Sequence, residues 1–95
     1  AIPEVFALHQ NYPNPFNPTT TIKYDLPEAK NVQVLIYDIM GRKVRTLIDE
    51  HQDIGYRSIQ WDATDDYGRG VSAGMYVYTI QAGDFRQVRK MILLK

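Results

Sequence analysis

Apolar and polar positions alternate with period two along most of this chain. Residues 20–26 place Ile22, Tyr24 and Leu26 on one face and Thr21, Lys23 and Asp25 on the other. Val32, Val34 and Ile36 repeat the pattern, while Leu35 and Tyr37 make the second face partly apolar, which predicts a strand at the centre of a sheet. Residues 43–48 form a shorter candidate. Residues 56–62 turn Ile59 and Trp61 the same way, residues 75–82 align Tyr76, Tyr78 and Ile80, and residues 85–94 close the chain. A short strand over residues 5–8 brings the number to about seven. No comparable stretch shows helical spacing. The pattern predicts an all-β chain folded as a β-sandwich of antiparallel strands. Its expected core is Ile22, Tyr24, Leu26, Val34, Ile36, Ile59, Trp61, Tyr78 and Ile80.

The breaks between runs agree with that reading. All five Pro lie at or before residue 27, and all six Gly lie at or after residue 41. Residues 1–18 are therefore expected to be an extended Pro/Asn-rich lead-in with a first short strand. There Pro13, Pro15 and Pro18 fix φ and push the residues before them toward extended backbone. Residues 19–95 are expected to be the sandwich body of a single domain. Gly41 is expected at a positive-φ turn position between two strands. Gly83-Asp84 carries the signal of a two-residue hairpin, and residues 63–73, with Gly68 and Gly70, read as a longer crossing loop. Residues 50–53 read as a solvated turn.

Composition narrows the chemistry. Eleven basic and eleven acidic residues give zero net charge, which offers no excess to neutralise phosphates and argues against a nucleic-acid partner. With no Cys there are no disulfides, thiolate metal sites or cysteine nucleophiles. No apolar run approaches the ~18 residues of a transmembrane helix. The first residue is Ala rather than Met, so the chain is expected to be part of a longer one. A Ser-His-Asp triad would draw on Ser58 or Ser72 with His9 or His51, but neither Ser has a nucleophile-elbow context. Asp62, Asp65 and Asp66 beside Gly68 lack the alternating spacing and closing Glu of a calcium loop, and serve turn geometry instead. The aromatics that could stack on sugars, Tyr24, Trp61, Tyr76 and Tyr78, fall on predicted core faces. No catalytic residue, metal ligand or cofactor is expected. Charge is nevertheless segregated: residues 86–95 carry Arg86, Arg89, Lys90 and Lys95 with no acid, while residues 49–66 are strongly acidic. Basic residues on a terminal strand either protect a sheet edge or present something to be recognised.

Four segments occur in a telling order: Tyr12-Pro13-Asn14-Pro15, Ile36-Tyr37-Asp38-Ile39-Met40-Gly41-Arg42, Gly74-Met75-Tyr76-Val77-Tyr78 and Lys90-Met91-Ile92-Leu93-Leu94-Lys95. Together they resemble the type A C-terminal sorting domain of proteins exported by the type IX secretion system. The resemblance implies an Ig-like β-sandwich attached to an upstream cargo in the same chain. It implies an address read by an outer-membrane secretion translocon, then often removed by a sortase-like peptidase. The cargo would pass through the periplasm to the cell surface or the extracellular space. Pro13, Pro15, Gly41, Arg42, Gly74 and Tyr76 would be structural motif residues, and Arg89, Lys90 and Lys95 would face the translocon. The loop from Trp61 to Gly70 is more similar to the Ig-like domain of flagellar hook-cap proteins. That similarity carries the alternative of an Ig-like structural or carbohydrate-binding accessory module of a secreted protein.

Overall fold

In the computed structural model, which describes residues 2–94, each period-two run is a strand. The order is β1 (Ala7–Leu8), β2 (Thr20–Leu26), β3 (Lys30–Asp38), β4 (Lys43–Gln52), β5 (Gly55–Trp61), β6 (Gly74–Ala82) and β7 (Phe85–Leu93). Two antiparallel sheets, β1-β2-β5 and β4-β3-β6-β7, form the layers of a sandwich. Register follows the apolar pattern, because a one-residue slip would turn every core side chain to water. Ile22 thus pairs with Ile59 across β2–β5, and Ile36 pairs with Tyr78 across β3–β6.

Between the sheets lie Ile22, Tyr24, Leu26, Val34, Ile36, Trp61, Tyr78 and Ile80, all fully buried as their spacing predicts. Leu8, Phe16, Met91 and Leu93 join them. Trp61 is the hub: its ring centroid lies 5.8 Å from that of Phe16 and 5.3 Å edge-on from that of Tyr76. Its indole N–H donates to the Thr64 carbonyl at 2.9 Å, so the polar end is satisfied as well.

Three expectations are corrected. Ile59 is only half-buried, because β5 is the margin of the smaller sheet and its inward face is fully covered only at Trp61. The strand predicted to stop at residue 48 continues to Gln52, and Glu50, His51 and Gln52 pair with Val32, Asn31 and Lys30 rather than forming a turn. Residues 49–52 are Asp, Glu, His and Gln, so this end of the strand carries no apolar alternation and its pairing with β3 is invisible to a periodicity reading. The first strand shrinks to Ala7–Leu8, leaving Val5 exposed.

The lead-in is tied down along its length. Tyr12 exchanges both backbone hydrogen bonds with Thr21 of β2 at 2.9 Å. A few residues later Phe16 pairs in parallel with Leu93 of β7, so the chain switches from one sheet to the other. Cis peptide bonds precede Pro13, Pro15 and Pro18. A buried polar network anchors the switch. The Tyr78 hydroxyl donates to the His9 carbonyl at 2.7 Å and accepts the Asn11 backbone N–H at 2.7 Å. The Asn11 side-chain amide donates to the Thr20 hydroxyl at 2.9 Å and to the Pro13 carbonyl at 3.2 Å. Thr20 in turn donates to Pro13 at 2.8 Å. Burial raises the Tyr78 phenol above its ordinary pKa, keeping it a donor.

Two substitutions separate these contributions. Trp61→Ala removes the hub of the core and is expected to cost roughly 3–5 kcal/mol in a denaturant melt. Tyr78→Phe keeps the ring but strands the Asn11 N–H and the His9 carbonyl, and is expected to cost about 1–3 kcal/mol. A Tyr78→Phe protein as stable as wild type would show that the hydroxyl does not hold the lead-in.

Candidate functional site

The terminal strand β7 is an edge of the larger sheet, and an open edge invites pairing with other chains. Here the C-terminal half of that edge is sealed by the lead-in. Phe16 N–H donates to the Ile92 carbonyl at 3.0 Å, and Leu94 N–H donates to the Phe16 carbonyl at 2.8 Å. Ile92 N–H donates to the Asn14 side-chain oxygen at 3.0 Å, and the Gln10 side-chain amide donates to the Lys90 carbonyl at 2.8 Å. Asn14 stands between Pro13 and Pro15, so those two prolines flank the residue that caps β7.

Of the three residues expected to face a translocon, Lys90 is exposed on β7. Arg89, one position earlier, is half-buried, and its Nε donates to the Leu8 carbonyl at 2.7 Å, clamping β1 to β7. Lys95 lies outside the described residues. The motif residues Gly74 and Tyr76 pair with Leu93 and Met91 at the start of β6. Tyr76 donates its hydroxyl to the Ser72 carbonyl at 2.6 Å while its ring rests on Trp61.

Gly41 and Arg42 belong to a turn that the chain builds twice. In residues 38–42 the Asp38 carboxylate accepts the backbone N–H groups of Met40 and Arg42 at 2.9 and 3.0 Å, and Arg42 Nε at 2.9 Å. Residues 65–69 repeat this: Asp65 accepts from Tyr67 and Arg69 N–H at 2.9 and 3.0 Å and from Arg69 Nε at 3.3 Å. The two glycines match, with φ of +83° at Gly41 and +80° at Gly68. The shared pattern Asp-x-x-Gly-Arg was visible in the sequence as a pentapeptide repeat and escaped a reading that sought chemistry in the acids. Asp66 then fastens the second turn to β4, donating its N–H to the Val44 carbonyl at 3.0 Å and accepting the Thr46 N–H at 2.8 Å. Backbone N–H donors, led by those of Arg42 and Arg69, hold the Asp38 and Asp65 carboxyls below the ordinary carboxylate range.

Residues 10–94 match the family described as the secretion system C-terminal sorting domain. The chain belongs to that family. It is a sorting domain of the type IX secretion system, and such domains mark proteins for export to the cell surface or extracellular space. Among solved structures the sorting domain is similar to dimeric latent PorU from Porphyromonas gingivalis, with a TM-score of 0.74 and 26% identity over 99% of this chain and 10% of that one. PorZ, an essential surface component of the type IX secretion system of the same organism, shares the fold with a TM-score of 0.61 and 19% identity over 95% of this chain and 11% of that one. FlgD from P. aeruginosa aligns with a TM-score of 0.61 and 25% identity over 78% of this chain and 57% of that one. The sorting domain thus spans about a tenth of the length of PorU and PorZ. No curated protein matches it. These likenesses identify the sandwich as Ig-like.

The paired turns have a consequence for acid stability. A carboxyl with a lowered folded-state pKa contributes stability that is complete above its unfolded value and disappears as pH falls through the folded value. The melting temperature of the sorting domain is therefore expected to drop mainly below about pH 4. A protein carrying Asp38→Asn and Asp65→Asn is expected to lose less over the same interval. Equal acid sensitivity of the two proteins would show that these turns do not contribute to it.

Proposed function

We propose that this sorting domain acts as a folded, non-catalytic address that carries an attached cargo across the outer membrane. An outer-membrane translocon reads it, and a sortase-like peptidase then acts on it as substrate. Recognition falls on the C-terminal segment, through Lys90 of β7 and through Lys95, with Arg89 holding β7 in place. The observation that supports this most is the sealed edge of β7. With the backbone groups around Ile92 already engaged, a receptor has side chains to read there rather than a strand to pair with. No acid lies on β7 itself, so its cationic character is unopposed along the strand.

A double variant, Lys90→Gln with Lys95→Gln, tests the readout; Lys90 is exposed, and substitutions at exposed positions usually move stability by only about ±0.5 kcal/mol. The expected result is a normal melting curve and a fused cargo that accumulates in the periplasm of a type IX-competent host. Normal export of the double variant would reject these two lysines as the readout. Retention of the wild-type fusion, in a host that exports a cargo bearing an established sorting domain, would reject the sorting function.

A further inference from the structure

Leu35 and Tyr37 make the second face of β3 partly apolar, the pattern that predicts a central strand. β3 is indeed central, between β4 and β6, and among the described residues no third layer lies against it. Side chains alternate across a strand, so the burial of Tyr76, Tyr78 and Ile80 turns Val77 and Thr79 outward, and that of Met91 turns Lys90 and Ile92 outward. Pairing then assembles a lattice on the solvent side. Leu35, Thr79 and Val88 form one row; Tyr37, Val77 and Lys90 form the next; Met75 and Ile92 complete it. Val88 is 59% exposed, Met75 42% and Ile92 41%. The outward face of the other sheet is different in kind, with Thr21, Lys23 and Asp25 of β2 facing Gln60, Ser58 and Tyr56 of β5. Leu35, Tyr37, Val77 and Thr79 are half-buried beside Val88, Met75 and Ile92, and an apolar face left this accessible marks an interaction site.

We propose that this β3-β6-β7 face is the docking surface for the export receptor, and that its occupant is a protein surface presenting apolar side chains with a carboxylate placed to meet Lys90. Charge complementarity selects that occupant. At the outward positions of β3, β6 and β7 the charged residues are Arg86 and Lys90, with no acid among them. Two copies stacked through this face would bring Arg86 and Lys90 against like charges, which disfavours self-association. The apolar rows supply affinity by leaving water, and Lys90 between them rejects partners that lack an acid there. The inference rests on the export reading and refines it: the lysine specifies, while Val88, Met75 and Ile92 bind.

The test uses the cargo fusion in a type IX-competent host. A photo-crosslinking residue replaces Val88 in one fusion and Ser58, on the opposite face, in another. The Val88 probe is expected to capture an outer-membrane component of the translocon and the Ser58 probe is not. Capture by both, by neither, or of a second copy of the domain would overturn the proposal. In parallel, Val88→Thr with Ile92→Thr keeps strand-forming residues while removing apolar surface, and is expected to lower the exported fraction at least tenfold with an unchanged melting curve. If that pair melts early, Val88→Thr alone serves, being the most exposed of the three. Export equal to wild type would overturn the docking face while leaving the sorting function standing; retention of the wild-type fusion would remove both. Sedimentation of the domain with phosphatidylglycerol vesicles, lost in the threonine variant, would assign the face to an anionic membrane and also overturn the proposal.

Discussion

The Tyr78 hydroxyl, buried between two strands that are far apart in sequence from the lead-in, is the constraint on which the rest of the sandwich depends. It holds the chain at both His9 and Asn11, and Asn11 passes the restraint to Thr20 and Pro13 through its side-chain amide. Tyr78, Asn11 and Thr20 are buried, so leaving one of their polar groups unpaired would carry the cost of its desolvation. Among the described residues, no buried side-chain nitrogen or oxygen lacks a partner. A network satisfied at every member specifies one path for the chain, where an apolar contact alone would tolerate several.

That path places the lead-in along β7. Once Asn11 is fixed, Phe16 drops into the core against Trp61, and its backbone, with Asn14, closes the edge around Ile92. Edge protection and core packing are therefore one event. At the opposite edge the second Asp-x-x-Gly-Arg turn lies on the start of β4, and two register shifts bend the strand. Each end of the larger sheet is thus guarded by a segment that belongs to neither of its central strands. Where those segments lie, the sheet presents side chains rather than open backbone.

The same side chains divide by face. Arg89 and Lys90 are adjacent in sequence and equal in charge, yet one clamps Leu8 and the other stands in solvent. Period-two geometry alone produces that division. It explains how one strand stabilises the sandwich through Met91 and Leu93 while offering Val88, Lys90 and Ile92 outward. The side chains that stabilise the strand and those it shows to solvent are alternate residues and can vary separately.

Strand identity and the inward faces of β2, β3 and β6 were legible in the sequence, because the pleat fixes side-chain alternation whatever the surroundings. The turn at Gly41 and the hairpin at Gly83 were legible for a similar local reason: positive φ is a property of one residue. Trp61 could be assigned to the core from its neighbours alone. The length of β4, the half-burial of Ile59, the burial of Asn11 and the partial exposure of the outward face of β3 were decided by tertiary structure. Each depends on what a distant segment brings: the register of β3, the margin of the smaller sheet, the hydroxyl of Tyr78, or the lack of a third layer. Periodicity tells a strand which of its faces is apolar. Only the packing of layers determines whether that face meets protein or water.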